Sequence, residues 1–307
     1  MKSTVLHTPV LVREVVEGLE VKPGGRYIDC TAGTAGHARA LLDRSSPDGT
    51  LLGIDQDPAA VEISRAILQG YGSRVTLIRD SFIRLEAIAS EQDFVPADGI
   101  LLDLGLSSLQ LEQAERGFSF QEEGPLDMRM DPHSRVSAER LVNMLTEQEL
   151  AEMIARYGEE PKARTVARAI VSHRPVGTTT QLAEIVARAV GRRGRLHPAT
   201  RTFQALRIAV NAELDALSTV LPQAVDVLHK GGRLAVISFH SLEDRLVKRF
   251  IARESTDCIC PPGMPACGCG HQRTLVTLTR KPIRPSPAES TENPRSRSAK
   301  LRIAMKV

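Results

Sequence analysis

Between Arg26 and Pro58 the chain reads Arg26-Tyr-Ile-Asp-Cys-Thr-Ala-Gly-Thr-Ala-Gly-His37, then a second apolar run, then Gly53-Ile-Asp-Gln-Asp-Pro58. The pattern is strand, glycine-bearing turn, helix, strand, with Asp55 at the end of the second strand. Such a frame suits an adenosine-containing cofactor. The turn brings backbone N–H groups close to a ligand, and an acid at the second strand end can accept hydrogen bonds from both ribose hydroxyls.

The glycine pattern narrows the cofactor. A dinucleotide site calls for G-x-G-x-x-G with the pyrophosphate over a helix N-terminus. This chain instead has Gly33-Thr34-Ala35-Gly36, preceded by Asp29. A carboxylate there repels a pyrophosphate and pairs with a sulfonium or an α-amino group, which favours S-adenosylmethionine over NAD.

Further short apolar runs follow at Val75–Ile78, closed by Asp80 and Phe82, and at Gly99–Leu104, with Asp103 and Gly105 at its end. These are expected of parallel strands buried on both faces. The rhythm then becomes helical. Thr146-Glu-Gln-Glu149 and Thr178-Thr-Thr-Gln181 both read as capping boxes ahead of apolar stripes. The sheet resumes at Gly231–Phe239, after a helix packing Leu214, Leu217, Val225 and Leu228, and two more strands are expected at Leu275–Thr279 and Ala299–Met305. The fold expected is α/β, an interrupted doubly wound sheet with a mostly helical insertion after the fourth strand. The boundaries are 1–107 and 212–307 for the sheet domain and 108–211 for the insertion, which leaves from the carboxyl edge where ligands sit.

Length and composition agree with two units: 307 residues at 42% hydrophobic can bury one large core or two smaller ones. The net charge of +3 does not mark a nucleic-acid binder, but basic residues cluster at 192–201 and 295–306. No segment resembles a signal peptide, and no apolar run approaches the ~20 residues that span a bilayer. A cytoplasmic protein with no membrane partner is expected. Five cysteines without secretory context argue against a disulfide framework. Four of them form Cys258-x-Cys260 and Cys267-x-Cys269 with His271 beside them. Thiolates suit zinc, but C-x-C spacing fits a tetrahedral ion less well than C-x-x-C, so no metal is expected.

Several runs together carry a resemblance. They are His7-Thr-Pro-Val10, Tyr27–Thr31, Gly33–His37, Gly53–Pro58, Gly99–Gly105, Glu115-Arg-Gly-Phe-Ser-Phe120, Pro125-Leu-Asp-Met-Arg-Met-Asp131, His197–Arg207, Ser238-Phe-His-Ser-Leu-Glu-Asp-Arg245 and Glu292-Asn-Pro-Arg295. In order along nearly the whole chain, they resemble the bacterial 16S ribosomal RNA cytosine N4-methyltransferases, the small-subunit methyltransferase H or MraW family. The resemblance implies a class I (Rossmann-like) methyltransferase with a helical insertion. It implies S-adenosylmethionine as cofactor and, as product, N4-methylated cytidine in the decoding region of the small subunit. The partner would be 16S ribosomal RNA or the assembled small ribosomal subunit, with the oligomeric state open, a homodimer included. Carried over by position, the cofactor contacts are Ala35, Gly36, His37, Asp55, Phe82, Asp103 and Gln110. The family usually has a glycine at position 35, so a contact there that needs positive φ is the point of departure.

Residue by residue, alternatives stand beside these roles. Asp29 faces the amino-acid end of the cofactor or caps a helix; Phe82 lies on adenine or fills the core; His37 is a hydrogen-bond partner near the methionine carboxylate rather than a base. A cytosine amine is a poor nucleophile, its lone pair delocalised into the ring, so catalysis must align it and accept its proton. Asp103 is the first candidate for that task or a cofactor contact only. In the Ser238–Arg245 motif, Ser241 with Asp244 reads as a helix cap, leaving His240 as a second catalytic candidate and Arg245 as a contact to base or phosphate. Arg192, Arg193, Arg195 and Arg201 are read as phosphate contacts. Competing readings are a ribosome-assembly factor that binds RNA without turnover, and a DNA or small-molecule methyltransferase. The chain has Asp103-Leu-Gly-Leu-Ser-Ser108 in place of the Pro-Pro-aromatic loop of the DNA amine enzymes.

Overall fold

The computed structural model describes residues 9–191, 197–261, 264 and 266–307. Helix α1 (Val12–Gly18) precedes an alternation of β1 (Arg26–Asp29), α2 (Gly36–Arg44), β2 (Thr50–Asp55), α3 (Pro58–Leu68), β3 (Val75–Arg79), α4 (Leu85–Glu91) and β4 (Ala97–Asp103). Helices alone follow: α5 (Ser108–Glu112), α6 (Ala138–Met144), α7 (Glu147–Gly158), α8 (Ala163–Ser172), α9 (Thr179–Val190) and α10 (Thr200–Asn211). The chain then continues through α11 (Glu213–Val227), β5 (Leu228–Ser238), α12 (Ser241–Glu254), β6 (Leu275–Thr277), α13 (Pro287–Glu292) and β7 (Lys300–Lys306). Among the described residues no helix is long and apolar enough to cross a membrane.

The chain divides into two compact units, one of Met1–Gly105 with Leu214–Val307 and one of Leu106–Glu213. In the first, seven strands form one sheet in the order β3-β2-β1-β4-β5-β7-β6. Strands β1 to β5 pair in parallel, while β7 runs antiparallel to both β5 and β6. This is the Rossmann-like sheet of class I methyltransferases. The order reverses between β1 and β4, and in such sheets the crevice beyond the carboxyl ends of the strands at that switch point receives ligands. The last strand in the chain, β7, lies inside the sheet between β5 and β6, and β6 takes the edge.

Successive residues of a strand face opposite sides of the sheet. Ile28, Leu52, Ile54, Ile100, Leu102, Leu234 and Val236 face one side and pack with Leu85 and Ile88 of α4, Leu217, Val220 and Leu221 of α11, and Val247 and Ile251 of α12. Tyr27, Leu51, Leu101, Ala235, Ile237, Leu301 and Ile303 face the other, against Val15 of α1 and Ala38, Leu41 and Leu42 of α2. Ile100 is fully buried at the middle of this arrangement, and Ile100→Ala would cost roughly 2–5 kcal/mol. Leu228 opens β5 instead of closing α11, so the strand begins before the Gly231-Gly232 pair.

The second unit has its own core, which includes Val142, Leu150, Ile154, Val166, Ile170, Leu182, Val186 and Leu206. Its helix starts follow local chemistry. Thr146 and Glu149 form a reciprocal capping box on α7. Thr178 caps α9 by accepting from the Gln181 N–H, but the Gln181 side chain turns to the Gly177 N–H and closes no box.

Candidate active site at the glycine turn

Strand β1 ends at Asp29, and the chain turns through Thr31–Ala35 into α2. Two residues of the turn are left-handed, Gly33 at φ 53° and Ala35 at φ 62°. A glycine takes that conformation freely, whereas an alanine is strained there. The Ala35 methyl is fully buried in the core beside α1 and α2, so packing holds the strained residue. The positive φ that the departure from glycine put in question is therefore retained.

Neighbouring strands fix the turn. The Gly33 N–H donates to Asp55 Oδ2 at 2.8 Å, and the Asp57 N–H donates to Asp55 Oδ1 at 2.9 Å. The Gly33 carbonyl accepts from Ser64 Oγ of α3 at 2.8 Å. Burial pushes the Asp55 carboxyl up to about 6, against the pull of the Asp57 and Gly33 amides.

Beside it, Asp29 is almost fully buried. Its Oδ1 accepts from the Thr31 N–H at 3.0 Å and the Thr31 hydroxyl at 3.3 Å. The same hydroxyl oxygen accepts from the Asp103 N–H at 2.7 Å, tying the ends of β1 and β4. Burial pushes Asp29 up to about 6 as well, with His37 and the Thr31 N–H pulling the other way.

His37 Nε2 lies 3.4 Å from Asp103 Oδ2, within ion-pair range though without the alignment of a hydrogen bond. Burial alone would keep the ring neutral. Asp103, followed by Asp29 and Glu289, outweighs it and raises the pKa above the ordinary histidine value. Glu289 itself accepts from the Leu11 N–H at 2.8 Å.

Of the seven buried side-chain polar atoms without a hydrogen-bond partner among the described residues, four sit here: Asp29 Oδ2, His37 Nδ1, His37 Nε2 and Asp103 Oδ1. Buried polar atoms are ordinarily satisfied, so their concentration at one turn marks a site shaped for a ligand. Three carboxylates around it suit hydroxyls and a cation and would repel a phosphate. Thr31 lies in a run that carries the resemblance, but the sequence assigned no role to it or to Glu289. A threonine two residues past a strand end, and a glutamate far along the chain, show their positions only once the sheet is closed.

Each of the other described candidates has local partners of its own. Phe82 is half-buried and packs on the core. Gln110, in the second unit, closes a capping box with Ser107 on α5. His240, rather than Ser241, caps α12: its Nδ1 accepts from the Glu243 N–H at 3.4 Å, and Glu243 Oε2 accepts from the Phe239 and His240 N–H groups. Asp244, expected to cap with Ser241, instead takes Arg302 at 2.7 Å and Lys300 at 3.1 Å. Arg245 is exposed on α12. Arg201 donates to the Glu159 carbonyl at 3.1 Å and lies 3.8 Å from Glu160 within the second unit. Arg192, Arg193 and Arg195 lie outside the described residues. A cavity of about 410 Å³ beside α12 and β6, lined by Lys248, Ser255, Arg273, Thr277 and Arg280 among others, was not foreseen. The four cysteines of the C-x-C pairs converge, with all their sulfurs within 4.8 Å of one another.

A family model described as the MraW methylase family matches residues 4–307. The chain is 55% identical over 305 residues to a protein of Thermomicrobium roseum named ribosomal RNA small subunit methyltransferase H, covering 98% of this chain and 94% of the relative. A protein of the same name from Dehalococcoides mccartyi is 52% identical over 302 residues, covering 98% and 86%. One from Symbiobacterium thermophilum is 50% identical over 307 residues, covering 98% and 96%.

Proposed function

The chain belongs to the MraW methylase family, and from that membership we propose that it methylates the N4 atom of a cytidine in 16S ribosomal RNA, using S-adenosylmethionine. The observation that carries the reading is the set of orphaned polar atoms on Asp29, His37 and Asp103 around the glycine turn, next to Asp55.

The donor and acceptor set fits the cofactor. Asp55 would hold the ribose: the Gly33 and Asp57 amides engage one site on each oxygen, the Gln56 amide also bonds to the carboxylate, and a carboxylate has about four such sites. Asp29 Oδ2, buried and unpaired, would take the α-amino group, and His37, with its raised pKa, would sit near the carboxylate of the methionine portion. When bound, S-adenosylmethionine supplies an electrophilic methyl carried on a sulfonium.

The remaining chemistry falls to Asp103. The cytosine amine becomes nucleophilic only as its nitrogen leaves conjugation with the ring. A carboxylate that accepts its N–H orients the lone pair and takes the proton released as the new N–C bond forms. Among the described residues Asp103 Oδ1 is buried without a hydrogen-bond partner, and Asp103 Oδ2 is held beside His37, so one oxygen is anchored while the other keeps its acceptor capacity and would take the N–H of the amine. Exposed Arg245 is assigned to the RNA backbone.

The reading is tested with small subunits from cells lacking the enzyme, incubated with the purified chain and labelled S-adenosylmethionine. The expected result is one N4-methylcytidine per 16S RNA, located by mass spectrometry of nuclease fragments. Label in another base, or none in RNA or subunits, would sink it.

A further inference from the structure

Between Ile251 of α12 and Leu275 of β6 no described residue is buried. The loop has a stem: Thr274 donates through its N–H to the Glu254 carbonyl and through its hydroxyl to Glu254 Oε2, both at 2.9 Å, and the Ser255 and Thr277 hydroxyls meet at 3.0 Å. Beyond the stem no apolar core offsets the entropy of ordering the chain, roughly 1–2 kcal/mol per residue. Some other staple is needed.

We propose that Cys258, Cys260, Cys267 and Cys269 bind one Zn²⁺ as a structural tetrathiolate site. The two C-x-C pairs lie on opposite limbs of the loop and face each other. The amide between each pair donates across to a sulfur of the other limb: Ile259 N–H to Cys269 Sγ at 3.5 Å, and Gly268 N–H to Cys260 Sγ at 3.4 Å. Amides aimed at sulfur stabilise thiolates, the form a metal takes.

The spacing of the sulfurs decides between metal and disulfide. A Zn–S bond of about 2.3 Å in tetrahedral geometry sets sulfur–sulfur edges near 3.8 Å. Cys267 Sγ and Cys269 Sγ stand 3.5 Å apart, and Cys269 Sγ and Cys258 Sγ 3.9 Å apart. A disulfide needs about 2.05 Å and joins sulfurs in pairs, whereas here all four are mutually close. The Nε2 of His271 is 3.1 Å from the Arg253 carbonyl, so that nitrogen must carry the proton it donates and is not a ligand. Four sulfurs and no nitrogen select zinc over metals that prefer imidazole or oxygen. The C-x-C spacing, unfavourable when one pair is considered alone, is no obstacle when each limb supplies two sulfurs to a shared centre.

Elemental analysis of the full chain, purified under reducing conditions without chelator, should find about one zinc per protein. Replacement by Co²⁺ should give the intense thiolate charge-transfer bands of tetrahedral sulfur coordination. The Cys258→Ser/Cys269→Ser double variant should lose both the zinc and the cobalt spectrum while its S-adenosylmethionine affinity, set at the glycine turn, stays within about twofold. In the wild-type chain, stripping the metal should expose four additional reactive thiols, a readout independent of whether the variant folds. Absence of zinc together with no cobalt spectrum, iron in its place, two disulfides by intact mass, or a cobalt spectrum that survives in the double variant would each overturn the assignment.

Discussion

His37 Nε2 stands 3.4 Å from Asp103 Oδ2, joining the first turn of α2 to the end of β4 at the point where the sheet order reverses. The contact anchors one Asp103 oxygen and leaves the other unpartnered and buried. It also raises the His37 pKa despite burial. With Asp29 and Asp55 nearby, the free chain concentrates like charges in a desolvated pocket, an arrangement that costs stability and favours function.

Asp29→Asn should therefore stabilise the free chain at neutral pH. The Asp29 carboxyl rises from its ordinary 3.8 to about 6 in the fold. A raised folded-state pKa means its favourable contribution is present below 3.8 and lost as pH rises through about 6. By pH 7.5 the loss is on the order of 3 kcal/mol, at 1.36 kcal/mol per unit. Asparagine keeps the Oδ1 acceptor for Thr31 and never ionises. Thermal melts should show the variant above wild type at pH 7.5, with the gap closing towards pH 4, and should show weaker cofactor binding. A variant less stable than wild type at pH 7.5 would refute the assigned burden.

Asp55 gives a pH signature of its own. A ribose needs the ionised carboxylate, and burial pushes Asp55 up to about 6. S-adenosylmethionine affinity should therefore tighten from pH 5 to 7.5, by about tenfold per carboxylate that must ionise. Asp55→Ala should weaken binding by roughly 2–3 kcal/mol and shrink the pH step. Calorimetry at both pH values measures each. A pH-independent affinity in wild type would contradict the role.

The sheet was legible because apolar runs ending in acids are characteristic of strands buried on both faces. The two-unit division was suggested by the change from short continuous apolar runs to helical spacing after position 107. What stayed hidden depends on three-dimensional closure. His37 and Asp103 meet only when β1 and β4 pair; Thr31 bridges them only because the turn folds its hydroxyl back; β7 enters between β5 and β6 through a reversal no local pattern encodes. Capping of α12 was misplaced by one residue because serine is the commoner cap, while His240 gains from Glu243, whose carboxylate satisfies two backbone amides at once.

That cap yields a prediction for His240. Loss of an N-cap side chain costs about 1 kcal/mol, so His240→Ala should lower stability by about that amount. His240→Asn can still accept from the Glu243 amide and should restore it. If capping is the whole contribution of His240, the asparagine variant keeps its saturated single-turnover rate within a few-fold. A hundredfold fall in that variant would give His240 a part in the chemistry.

Asp103→Asn separates proton transfer from cofactor contact. The two side chains are nearly isosteric, and the backbone bond from the Asp103 N–H to Thr31 Oγ1 is unaffected, so the turn should keep its shape. An amide cannot take the proton of the cytosine amine. Removing a positioned acid–base group lowers the rate by ~10²-fold or more, and this should appear in single turnovers at saturating S-adenosylmethionine with a small-subunit substrate. Because the carboxylate also faces His37, the variant should lower the His37 pKa towards its ordinary value, visible in the imidazole shifts of an NMR titration. A purely cofactor-binding role predicts a different pair of results: weaker S-adenosylmethionine affinity, with the saturated rate near wild type. That outcome would remove Asp103 as proton acceptor while leaving the His37 titration shift intact, so the kinetic and spectroscopic readouts together distinguish a failed chemical role from a variant whose site has collapsed.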